Sequence, residues 1–231
     1  MKFLNYLSED RYSTMSVEEI RKLLSVNCKP MLDFIKKKKF GFRRNYNKFD
    51  NTSENIKLFI PRSNRKALDT PQDLSDAIDK ILFKKLKWYP RKEGVFTWPD
   101  SFNDMVTRTQ MLRGMGVFMP RGDFKVAYAT SKWEIRDLFM WLEDMWRIFA
   151  GKESSSNPAF SPAFNLGKEW PSINTSQKTQ FLHFIESKVK ESYTDKFNNI
   201  SILSGEIMFK CDAYYLIKPQ IIKQLMEEKF I

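Results

Sequence analysis

Ser204-Gly205-Glu206-Ile207-Met208-Phe209-Lys210, followed by Cys211-Asp212-Ala213-Tyr214-Tyr215-Leu216-Ile217, is the stretch that decides how the rest of the chain is read. Residues 206–210 and 213–217 are short apolar and aromatic runs, and runs of that length and makeup read as strands. A run at 200–203 reads the same way. Immediately beyond, Pro219 opens a helix with Ile221, Ile222, Leu225 and Met226 on its inner side, because proline at the first helical position gives up no hydrogen bond.

Towards the N-terminus, 117–119 and 125–129 read as strands about the turn Pro120-Arg121-Gly122-Asp123. Gly94-Val95-Phe96-Thr97-Trp98 is a strand closed by Pro99. Another is predicted from Asn55 to Arg62, where Ile56, Leu58 and Ile60 alternate with Lys57 and Phe59. Helices lie between these runs. Thr70 is the expected N-cap and Pro71 the first residue of a helix carrying Leu74, Ala77, Ile78, Ile81, Leu82 and Leu86 at helical spacing. Ser101 and Asp104 cap the next, to about Leu112. The capping box Ser131-Lys132-Trp133-Glu134 starts one with Leu138, Leu142, Met145, Trp146 and Phe149 on one face. A further helix covers 177–190.

Near the start, Ser16-Val17-Glu18-Glu19 is a second capping box. A helix from Pro30 runs into Lys36-Lys37-Lys38-Lys39 and is expected to stop at Gly41, with 42–53 a basic loop. Strands and helices intermingle without regular βαβ alternation, so the expected class is α+β. The expected organisation is an N-terminal helical arm over 1–53 and an α+β core over 54–231, with a Ser-, Pro- and Asn-rich insertion at about 151–176.

Lys and Arg total 39 against 28 Asp and Glu, and the resulting +11 favours polyanionic partners such as nucleic acid or an acidic protein face. Lys36–Lys39, Arg43-Arg44 and Lys84-Lys85-Leu86-Lys87-Trp88-Tyr89 are the basic stretches that a nucleic-acid binder would use. Cys28 and Cys211 stand far apart with no CxxC, the pattern of two reduced thiols. The first residues turn acidic too soon for a signal peptide, and no run approaches the roughly 18 apolar residues of a membrane span. The expected location is cytoplasmic, in a host cytoplasm or a virion if the chain is viral.

Much familiar chemistry is missing. His183 is the single histidine, and its place between Phe181 and Phe184 predicts a packed structural role. Gly114-Met115-Gly116 lacks the third glycine of a dinucleotide fingerprint, no GxxxxGK[ST] occurs, and no metal-ligand spacing stands out.

Three segments in order, Phe59-Ile60-Pro61-Arg62, Val95-Phe96-Thr97-Trp98 and Ser204 to Ile217, resemble the scaffold of ADP-ribosyltransferases. That family has small split sheets, mixed or antiparallel, flanked by helices. It binds NAD in the cleft, with Arg or His on an early strand, Ser or Thr on a middle strand and Glu on a late strand. The stretch from Ile60-Pro61-Arg62 to Phe118-Met119-Pro120-Arg121-Gly122-Asp123-Phe124 also resembles small phage-encoded proteins associated with this fold. The resemblance covers about residues 54–217. It implies that Arg62, with Arg65 or Lys66, holds the NAD diphosphate or ribose through a planar guanidinium fork. It implies that Thr97 props the site, and that Glu206 bonds the nicotinamide ribose and stabilises an oxocarbenium-like transition state. The implied activity is NAD-dependent mono-ADP-ribosyl transfer to a host protein or nucleic acid. Read without the family, Arg62 is a surface arginine and Glu206 a strand-edge carboxylate. The alternative function is then a non-enzymatic basic protein that binds nucleic acid or joins a virion or other assembly.

Overall fold

The computed structural model describes residues 15–45, 54–63, 70–111, 114–130, 138–151 and 166–231. The described residues form a mixed α and β fold: an open eight-stranded sheet with helices on both faces. Along the chain run α1 (Val17–Asn27), α2 (Lys29–Lys38), β1 (Gly41–Asn45), β2 (Ile56–Phe59), α3 (Gln72–Leu86), α4 (Pro90–Glu93), β3 (Val95–Asp100), α5 (Phe102–Met111), β4 (Met115–Pro120) and β5 (Lys125–Ala129). They are followed by α6 (Leu138–Phe149), α7 (Leu166–Glu169), α8 (Thr175–Ser192), β6 (Tyr193–Thr194), β7 (Ile207–Lys210), β8 (Tyr214–Ile217) and α9 (Pro219–Glu227). The strand order is β2-β8-β4-β1-β3-β7-β5-β6, and every pairing in it is antiparallel.

The sheet is continuous, yet β3 changes partner at its middle. Its first half pairs with β7, as Val95 with Phe209 and Thr97 with Ile207. Its second half pairs with β1, as Trp98 with Arg43 and Asp100 with Gly41. Two half-sheets therefore meet on one shared strand.

Local signals account for most element ends. Ser16 accepts the Glu19 amide while Glu19 bonds back to the Ser16 amide, closing the expected capping box. Ser101 accepts the Asp104 amide at 3.0 Å and starts α5. Pro71, rather than Thr70, caps α3. Thr70 is buried and accepts a bond from Arg91 at 3.1 Å. α2 stops two residues before Gly41, at Lys39 in a left-handed conformation, and Gly41 begins a strand. A Cβ at Gly41 would lie 2.8 Å from the Phe102 ring, so the residue is fixed by close approach of α5.

Three expectations need correction. Gly41–Asn45 is a central strand where a loop was expected from residue 42. Two basic residues do not prevent this, because only Gly41 and Phe42 of the five are fully buried. Residues 200–203 form a turn after a short 3-10 segment (Phe197–Asn199), and Ile202 and Leu203 face solvent instead of completing a strand. His183 is exposed on α8, while Phe181, two residues earlier and on the opposite side of the helix, faces the core. The capping box at 131–134 lies outside the described residues.

Two apolar clusters hold the halves. The larger joins Ile20, Leu24, Met31 and Phe34 of the first two helices to Phe42, Phe118, Phe209 and Leu216 of the sheet, so α1 and α2 share the core of the strands. Phe42 packs on Phe34 and Phe209 at 5.5 and 5.0 Å between centroids. The smaller unites α3, α6 and α8 against Ala127 and Met208. Each fully buried ring contributes about 2–3 kcal/mol of transfer free energy.

Candidate functional site

β1, β3 and β7 lie side by side, and the point where β3 changes partner concentrates the polar groups. Arg43 is cross-strand from Trp98, with its guanidinium 5.4 Å from the centre of the Trp98 ring. Its Nε stands 3.2 Å from Oδ2 of Asp100, a carboxylate that is itself buried. Arg44, on the opposite face of β1, reaches across the opening left where β1 and β3 part. Its Nη1 donates to the Phe96 carbonyl at 2.8 Å, and its guanidinium lies 5.7 Å from the Tyr214 ring centre.

Thr97 is fully buried, and its hydroxyl donates to the Ile207 carbonyl at 3.1 Å. It therefore clips β3 to β7 immediately beside Glu206. Glu206 is half-buried and directly precedes β7. Glu206 comes one residue before Ile207, the last residue of β7 that pairs with β3, so it lies where the two strands part. The alternation of side chains puts Arg43 and Trp98 on one face of the sheet and Arg44 and Thr97 on the other.

The sequence-predicted residues divide accordingly. Thr97 and Glu206 are brought together. Arg62 is exposed just beyond β2, at the sheet edge, with β8, β4 and β1 between β2 and β3. At the usual inter-strand spacing, that separates its strand from Thr97's by about 19 Å along the sheet. Arg65 lies outside the described residues. In β1, Arg43 is cross-strand from Trp98 and Arg44 is the arginine next to Thr97 in register. The signal for both was present in Phe42-Arg43-Arg44, where charge hid a half-buried strand.

The surrounding electrostatics are ordered by burial. Burial pushes the Cys211 thiol up to about 12, with Asp212 adding to the shift and Arg44 opposing it. Cys28 is likewise pushed to about 12 by burial, so both thiols stay protonated at neutral pH. Glu93, at the end of α4, accepts from Lys210 at 2.9 Å and from the Tyr89 amide at 2.9 Å. Burial would raise its carboxyl, but these bonds hold it below the ordinary value.

The concavities of about 480 and 210 Å³ lie elsewhere on the surface, the first by Lys36 and Lys229 and the second by Lys84 and Glu186. The basic-aromatic stretch at 84–89 is partly tied into packing, while Lys84, Lys85 and Lys87 remain exposed. Lys84 pairs with Glu186 at 2.8 Å, Lys85 donates to the Lys190 carbonyl at 2.6 Å, and Trp88 is buried. No group of His, Cys, Asp and Glu among the described residues could hold a metal ion, and no helix among them is long and apolar enough to cross a membrane. Compared with family models, curated proteins and solved structures, the chain gives no match.

Proposed function

We propose that the chain is an NAD-dependent mono-ADP-ribosyltransferase-like protein whose nucleotide site is the face of β1, β3 and β7 around Trp98. The observation that carries this reading is that an early-strand arginine, a middle-strand threonine and a late glutamate come from the adjacent strands β1 and β3 and from the start of β7. Arg43, not Arg62, has the neighbours that the early-strand role requires. Its planar fork suits paired phosphate oxygens. The half-buried Trp98 ring beside it offers a flat apolar surface. Thr97 is a positioning residue, since its hydroxyl is spent on Ile207. The Glu206 carboxylate meets the positive charge that develops on the ribose as the bond to nicotinamide breaks. It takes the acceptor's proton as the new glycosidic bond forms.

Titration calorimetry with NAD, joined to a nicotinamide-release assay, tests this. Wild type should bind in the micromolar range. Arg43→Lys keeps a cation beside Asp100 but loses the fork, and should bind at least about tenfold more weakly, a loss of about 1.4 kcal/mol. Arg62→Ala should bind as wild type does. Glu206→Gln should retain binding and lose nicotinamide release. No heat at millimolar NAD and no release from wild type would overturn the reading.

A further inference from the structure

Among the described residues, three other than glycine hold a left-handed backbone: Lys39, Lys87 and Lys229, at φ of 61°, 62° and 57°. Each ends a helix: Lys39 and Lys87 directly follow α2 and α3, and Lys229 lies two residues past α9. Glycine is the usual occupant there, because a Cβ crowds the following carbonyl. Lys87 has a local use, since its ammonium donates to the Lys84 carbonyl at 2.9 Å. The ammonium groups of Lys39 and Lys229 have no such bond or ion pair among the described residues. Both instead line one concavity of about 480 Å³, with Lys36, Met226 and Ile231.

The same corner holds more positive charge. Lys36 and Arg21 lie 5.1 and 5.2 Å from the centre of the Phe230 ring. The carboxylates at the end of α9 are engaged: Glu227 stands 3.9 Å from Lys223, and Glu228 accepts from Gln224 at 3.3 Å.

We propose that this corner, where the ends of α2 and α9 converge, is an anion site that grips the phosphate groups of a nucleic-acid backbone. Lys36, Lys37, Lys38 and Lys39 follow one another at a helix end, so their side chains fan out by about 100° per residue. A compact anion meets one or two of them, whereas a chain of repeating phosphates meets several. Lysine is a compact point charge that takes phosphate oxygens from any direction. The proposed contact is to the phosphate backbone and is indifferent to base sequence.

The test is the salt dependence of binding of a short labelled single-stranded oligonucleotide, followed by fluorescence anisotropy. Lys39→Gly with Lys229→Gly removes two charges and also removes two left-handed Cβ crowdings, so the double variant should melt no lower than wild type. Its log-log slope of affinity against salt should be shallower by about 1 to 2. Lys87→Gly makes the same backbone change away from this corner and should leave the slope unchanged. No binding by wild type at low salt, or a double variant that behaves as wild type does, would overturn the proposal. So would polyglutamate that binds as tightly as the oligonucleotide and loses affinity equally in the double variant, since that would assign the corner to an acidic protein.

Discussion

Thr97→Val isolates the bond that ties the middle of the sheet to the candidate catalytic carboxylate. Thr97 is fully buried in β3, and its hydroxyl donates to the Ile207 carbonyl at 3.1 Å, one residue from Glu206. Valine has nearly the same shape, so it opens no cavity. The substitution removes a hydrogen bond worth about 1 kcal/mol net, and a buried carbonyl left short of a partner costs about 1–3 kcal/mol. The added methyl regains about 0.8 kcal/mol by burial. A net loss of about 1–2 kcal/mol follows, which for a chain of this size lowers the melting temperature by about 3–6 °C. Thermal denaturation reads the loss, and amide exchange at Ile207 and Glu206 should quicken by a similar free energy. Thr97→Ser, which keeps the hydroxyl, should recover the exchange protection. If Thr97→Val melts as wild type does and exchange at Ile207 is unchanged, the bond contributes nothing and Thr97 does not position Glu206.

Three further predictions concern the scaffold that leads into β3. Asp79 is fully buried and accepts the amides of Arg91 and Lys92 at 3.0 and 3.2 Å, so Asp79→Ala leaves two donors unmatched and should cost about 3 kcal/mol in urea unfolding; a loss under 1 kcal/mol would refute this. Burial also holds the Asp79 carboxyl above its ordinary value despite those amides and the Arg91 charge. Its stabilisation is then full below the ordinary carboxylate range and fades as pH rises through the folded value, so wild type should lose ground to Asp79→Asn as pH rises above that ordinary range. A gap that widens with pH would contradict the sign. A Cβ on Gly94 would lie 2.2 Å from the Pro90 carbonyl oxygen, so Gly94→Ala must move backbone and should destabilise by about 3 kcal/mol; a neutral Gly94→Ala would show that α4 yields freely.

Elements whose signals are local were legible in the sequence. The α1 capping box, the apolar spacing of α3 and the proline opening α9 each act within a turn or two, and each stands where expected. Strands β4, β5, β7 and β8 were legible for the same reason, since Val117, Val126, Phe209 and Leu216 are buried. β1 was not. Its five residues include Arg43, Arg44 and Asn45, and its strand state comes from pairing with β3 and β4, which are distant in sequence. The site suffered from the same blindness. Thr97 and Glu206 belong to strands recognisable one at a time, but which arginine is their neighbour depends on strand order. Arg62 satisfied the linear order, whereas the strand order puts the β1 arginines, Arg43 and Arg44, beside β3.

The partner exchange of β3 also bears on where charged side chains enter the middle of the sheet. β3 pairs with β7 from Val95 to Thr97 and with β1 from Trp98 to Asp100. Arg44 of β1 reaches across where the pairing changes and donates to the Phe96 carbonyl. Arg43 is cross-strand from Trp98, with its guanidinium beside Asp100, and Glu206 directly precedes β7. A preorganised site needs charged groups set at fixed positions by strands that are themselves paired. The proposed chemistry rests on Arg43 and Glu206 being held in that way, by β1 and by the start of β7, with Thr97 tying β3 to β7 between them.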